Sequence, residues 1–279
     1  MYKAKKHGII LLFLLANSLL FAQLKFADSK TINEFLRTKT YIVLEDVMFS
    51  DFNTAINEAA KKHWKITPYE IINLKKYEQL SKNPKHSFLI VSIGEITGLK
   101  TSFSFNLLNL LMGHPSGNIN KMKEIIIIPL SYYSEEDDEE EYAYKLSGIL
   151  NAFQYYVLNH TNEDWKKWIN ENKKDLKNKE LWLTKNDISS SIHTIEEIQN
   201  LYPYALKIVS EKEIEEAIDK KLPQVAFVHK VGKDINQHAY CLKTIIACSD
   251  GKVLYLSYDK ITKQEPAGML IKDFKTLID

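Results

Sequence analysis

Residues 40–93 decide the fold: TYIVLEDV (40–47), FNTAINEAAKKHW (52–64), KITPYEII (65–72), NLKKYEQLSK (73–82) and SFLIVSI (87–93) alternate strand and helix patterns. Short apolar runs between polar turns read as strands, while Phe52, Ile56, Ala59, Ala60 and Trp64 recur at helical spacing and form one buried stripe. The same order returns as ELWLTKNDI (180–188), TIEEIQNLY (194–202), YALKIVS (204–210), EKEIEEAIDKK (211–221) and QVAFVHKV (224–231). Few residues are identical, so the match is one of pattern, and an internal duplication of an α/β unit accounts for it most economically.

Each copy is continued by two further strand patterns and a helix. In the first these are KTSFSFNLL (100–108), KEIIIIPL (123–130) and YAYKLSGILNAFQYYVLNH (142–160); in the second, HAYCLKTIIACS (238–249), KVLYLSYDK (252–260) and MLIKDFKTLI (269–278). Asp250-Gly251 between alternating apolar runs is a hairpin signal. Pro68 makes the strand around it an edge strand or a late-starting one, and the uninterrupted IIIIPL reads as a strand buried on both faces, central in its sheet. The expected fold is therefore α/β with mixed sheets, in two tandem βαβαβ-β-β-α domains at 23–158 and 180–279. A charged bridging helix or linker at 159–179 would join them. The aromatic faces of the helix at 142–158, and Trp165 and Trp168 on the bridge, are expected to dock against the neighbouring domain.

The N-terminus reads MYKAKKHGIILLFLLANSLLFAQ, with three lysines ahead of an uncharged run and a small residue, Ala22, before Gln23. That is the pattern of a signal peptide over residues 1–22, with an apolar core short for the ~20 residues of a membrane span; an uncleaved anchor is the alternative. The expectation is a periplasmic or secreted chain without a transmembrane segment after cleavage. The 37 basic and 36 acidic residues, less three signal lysines, leave 34 against 36, a balance that suggests neither nucleic acid nor an anionic membrane as partner. Cys241 and Cys248 stand an odd number of residues apart on one strand pattern, so they face opposite ways and do not pair with each other.

The element order resembles the small α/β domains of periplasmic envelope proteins of the TolB N-terminal type, and exported proteins with two such repeats, over about residues 41–278. The propeller that accompanies that domain in TolB is missing here. What the resemblance implies is a non-catalytic binding or assembly module of the cell envelope, with an envelope protein as partner.

No nucleophile elbow, zincin helix, P-loop or dinucleotide fingerprint occurs, and no cofactor is expected. The acidic run SEEDDEEE (134–141) lacks the glycine and alternating ligands of a calcium loop and suits a solvated helix start. His63 is expected at a surface or cap position, and His86, His114, His160 and His193 in loops. One metal-binding pair is weighed. A hairpin centred between Lys233 and Asp234 would set His229 opposite His238 with Cβ atoms about 5 Å apart, against two solvent-exposed hairpin-end histidines. The alternative function is a periplasmic enzyme with its site between the domains, motivated by the aromatic residues at 142–168 and the acidic run beside them.

Overall fold

The computed structural model describes residues 27–47, 50–95, 104–133, 141–159, 165–234, 236 and 239–278. The segment 1–22 read as a signal peptide, acidic residues 134–140, His160 and His238 lie outside them. Among the described residues no helix is long and apolar enough to cross a membrane.

The chain divides into two compact units, one of residues 1–57 with 65–140, the other of 58–64 with 141–279. In chain order up to residue 140 come α1 (Ser29–Phe35), β1 (Lys39–Val43), α2 (Asp51–His63), β2 (Tyr69–Ile72), α3 (Leu74–Leu80), β3 (His86–Glu95), β4 (Ser104–Met112) and β5 (Lys123–Tyr132), all in the first unit except residues 58–63 of α2. The strands form one sheet in the order β2-β1-β3-β4-β5. β1 runs parallel to both neighbours, and β3, β4 and β5 alternate in direction. Pro68 has no amide to donate but its carbonyl accepts from Thr40 at 2.8 Å, so β2 begins one residue later, at the sheet edge, as expected. Asn73 caps α3 by accepting from the Lys76 amide at 2.9 Å. This turns Leu74, Tyr77 and Leu80 onto the core of Tyr41, Val43, Phe88 and Leu111.

The expectation for IIIIPL is overturned. β5 is the outer strand, and Ile126, Ile127 and Ile128 are only half-buried. A run of isoleucines favours a strand wherever it lies in the sheet. Pro129, tolerated where a ladder bond can be missing, was the residue that marked an edge.

The second unit opens with α4 (Leu146–Asn159) and α5 (Trp165–Lys173). Then come β6 (Glu180–Leu183), α6 (Ile195–Gln199), β7 (Leu206–Ile208), α7 (Glu211–Asp219), β8 (Val225–Val231), β9 (Tyr240–Ala247), β10 (Val253–Lys260) and α8 (Ile271–Thr276). Its sheet has the order β10-β9-β8-β6-β7, with β6 parallel to β7 and β8, and β8, β9 and β10 antiparallel. Counted from the first strand of each unit, both sheets run second-first-third-fourth-fifth with the same directions. That identity is what a tandem repeat requires, and it is found.

In this unit α6 and α8 pack on the face of Leu181, Leu183, Ala226 and Val228 through Ile198, Tyr202, Phe274 and Leu277. Phe227 points the other way, towards α4 and Ile218 of α7. α6, between β6 and β7, and α7, between β7 and β8, thus cover opposite faces of the sheet. The expected boundaries at 158 and 180 shift accordingly: α4 does not close the first unit but packs on the second sheet. A Cβ at Gly148 would lie 2.4 Å from the Phe227 ring. The β9–β10 turn also meets α4, because Gly251, at φ +82°, leaves no room for a Cβ within 2.2 Å of the Asn151 carbonyl carbon. α5 is likewise no linker. Asn172 donates to the Val253 carbonyl at 3.0 Å, and Trp168 lies 6.0 Å from Tyr155 and 6.4 Å from Tyr156 on α4. Residues 180–279 therefore hold less than the whole core of their unit.

Candidate functional site

In an open sheet with parallel strands, the chain leaves the first strand in one direction and returns on its other side, and the loops diverge at the carboxyl ends of those strands. Ligand clefts form there. In the second unit that point lies between β6 and β8, and a cavity of about 600 Å³ opens at it. The volume is within the range of small-molecule sites.

The cavity is built from three segments. After Leu183 the chain makes a tight turn held by Asp187, whose Oδ2 accepts from the Thr184 amide at 2.8 Å and from its hydroxyl at 2.9 Å. Lys145 reaches the other oxygen of this buried carboxylate at 3.3 Å. Burial, and then the Asp187 charge, raise the phenol of Tyr144, whose ring lies 4.8 Å from the same ammonium. The chain next runs along residues 187–189 beside the segment leading to α8. Met269 donates to the Asp187 carbonyl at 2.7 Å, and Ser189 donates to the Met269 carbonyl at 3.1 Å. Past the end of β8, Asp234 ties the walls together: one oxygen accepts from the Ala267 amide at 2.7 Å and the other from the Ser190 hydroxyl at 3.2 Å.

The lining combines apolar and cationic groups. Ile188, Ile192, Ile198 and Ile208 supply the walls, and Lys185, Lys230 and Lys233 bring ammonium groups. Lys233 pairs at 3.3 Å with Glu141, the last residue of the acidic run, which also lines the cavity. Lys230 stands directly opposite Lys243 of β9. Lys243 is fully buried, 2.5 Å from Asp259 and 2.6 Å from Asp273. Burial works against the Asp259 charge, but Lys243 and Lys272 outweigh it and hold the carboxyl below the usual range. Asp273 also accepts from the Tyr255 hydroxyl at 2.7 Å and the Leu270 amide at 2.7 Å, so this buried network is paired throughout.

The hydroxyls at the cavity have structural partners. Ser189 donates to the Pro266 carbonyl at 3.2 Å, while Ser190 is held on Asp234. His193, also at the cavity, gives its backbone amide to Glu197 at 3.2 Å, and no serine there is hydrogen-bonded to its ring.

The histidine pair weighed from sequence is not formed as drawn. β8 ends at Val231 and β9 begins at Tyr240, so the pairing runs Val231 to Leu242 and His229 to Thr244. The connection takes more residues than the tight turn assumed, which slides the register. His229 itself is buried, and His238 lies outside the described residues. Among the described residues no group of three histidine, cysteine or acidic side chains is placed to hold a metal ion.

His63 corrects another expectation. It is buried, with Nε2 3.1 Å from Asp219, whose second oxygen meets Lys62 at 2.7 Å. His86 opens β3 and its ring meets Tyr41 edge-on at 4.9 Å, whereas His114 lies in a turn and bonds the Ser116 hydroxyl at 2.8 Å. Cys241 and Cys248 do not pair with each other, as their spacing implied, and both thiols are free and buried. Sequence reasoning missed the cavity. Its available signal was the polar segment NDISSSIHT (186–194) directly after the first strand of a βαβ unit, where the loop faces the switch point. No family model, curated protein or solved structure gives a significant match to the chain.

Proposed function

We propose that this chain is an exported, non-catalytic binding module of the cell envelope, and that the second unit binds through the cavity at the carboxyl ends of β6 and β8. The observation that carries the reading is the cavity itself: a walled, mixed apolar and cationic site at the switch point of the sheet. Its hydroxyls are committed to neighbouring backbone and carboxylate groups. Export is supported by the signal-peptide pattern of residues 1–22. An envelope role is supported by the resemblance of the sequence's element order to the TolB N-terminal type.

The test compares what the mature protein retains when purified undenatured from its native source with what an Asn186→Trp variant retains. Asn186 is exposed at the cavity rim, so an indole there obstructs the site without entering the core. A retained molecule or protein lost from the variant supports the reading. Identical retention by both, or turnover of a retained molecule by the native protein, overturns it.

A further inference from the structure

We infer that the cavity takes a small organic anion, one acidic group on an apolar body, with Lys230 holding the charge. This rests on the reading of the cavity as the binding site and adds the chemistry of its ligand.

Charge is the first ground. Lys230 is half-buried on the β8 face that lines the cavity, directly opposite the buried ammonium of Lys243. Like charges facing across a strand pair repel. Lys243 is neutralised by Asp259 and Asp273 at 2.5 and 2.6 Å. Among the described residues no carboxylate lies within ion-pair distance of Lys230 or of Lys185 across the cavity. The two acids that line the site are already engaged: Glu141 with Lys233, and Asp234 with the Ala267 amide and the Ser190 hydroxyl. The uncommitted charge facing the cavity is positive.

Shape is the second ground. Isoleucines 188, 192, 198 and 208 give the cavity an apolar patch beside its polar and charged lining. A fully hydrated inorganic ion gains nothing from such a surface, while an aliphatic or aromatic body is drawn from water by it. The acidic group is a carboxylate or a phosphate, since an ammonium serves both as a point charge.

The test is calorimetric titration of the full mature chain with octanoate, octyl phosphate, octanol and inorganic phosphate. Octanoate or octyl phosphate should bind, and the tighter of the two names the acidic group. Octanol and inorganic phosphate should each bind at least about tenfold more weakly, the loss expected when a charge-assisted contact or the apolar burial is missing. Lys230→Met keeps the aliphatic stem and should weaken the favoured anion about tenfold or more, while Lys230→Arg retains it. If the Met variant fails to fold, Lys185→Ala at the exposed rim is read instead, with several-fold weakening expected. Octanol binding as tightly as octanoate, or undiminished affinity in Lys230→Met, overturns the charge assignment and leaves the cavity as the site. Inorganic phosphate binding as tightly as octyl phosphate overturns the apolar body. No binding by any of the four overturns this inference; the cavity reading falls separately, on the Asn186→Trp comparison.

Discussion

Replacing Gly148 by alanine tests whether α4 belongs to the second unit. In an isolated helix the change stabilises by about 1 kcal/mol, because glycine gives up more backbone freedom. Here an added Cβ falls 2.4 and 2.8 Å from two carbons of the Phe227 ring and 3.2 Å from Ile218. Normal contact is about 3.5–4.0 Å, so ring and helix must part by roughly 1 Å. Phe227 is fully buried and cannot swing into solvent. Overpacking of this kind costs about 1–3 kcal/mol. Set against the helix gain, the net loss is about 1–2 kcal/mol at the upper part of that range, or roughly 3–6 °C in melting temperature for a unit of this size. Urea and thermal unfolding followed by circular dichroism would measure it. Phe227→Leu, which makes room, should remove most of the penalty in the double variant and give a clear coupling term. A Gly148→Ala protein that is more stable than the parent would refute the close approach of α4 to β8, and with it the unit boundary.

Asp273→Asn should cost about 3–5 kcal/mol, since it strips a counter-ion from a fully buried lysine; a loss under about 1 kcal/mol in urea unfolding would contradict the paired network. Asp219 and Asp259 are held below the ordinary aspartate range: in each case burial opposes the charge and the paired cations outweigh it. Their unfolded values lie near 4. The stability they confer is therefore fully present above that value and lost as pH falls through the lower folded values, so the urea midpoint should hold from pH 7 to 5 and fall below about 4. A midpoint that rises on acidification below 4 would reverse the sign of the argument. Burial pushes the Cys241 thiol up, and the Cys248 thiol to about 12. Both should resist iodoacetamide at pH 8 in the native protein and react in denaturant, as read by intact mass; native labelling of either would place it outside the core.

The repeat was legible because strand and helix periodicities are local, and every strand of both sheets lay within or across a stretch read as one. Strand order was not written in any single segment. IIIIPL looked central by run length, while the sheet ended there, and only Pro129 carried the opposite signal. The unit boundary failed for a related reason. The apolar faces of α4 and α5 announce that something covers them without saying which sheet does so, and that is set by contacts far along the chain, such as Gly148 on Phe227 and Asn172 on Val253. The histidine pair failed on turn length, which fixes register and is weakly encoded in a segment of mixed polarity. The cavity was hidden because its parts, Lys185, Ser190, Lys230 and Ala267, become neighbours only through the crossover of β7 around β6.

The most direct test of the binding site is to map where an amphipathic anion lands on the whole protein. In ¹⁵N-resolved spectra of the protein titrated with octanoate, the largest saturable shifts should fall on the amides of Lys185, Ser189, Ser190, Lys230 and Lys233, which surround the cavity. Small shifts are expected for β1 to β5 of the first unit. Saturable shifts centred on the first unit, with the loops after β6 and β8 unchanged, would contradict the placement of the site.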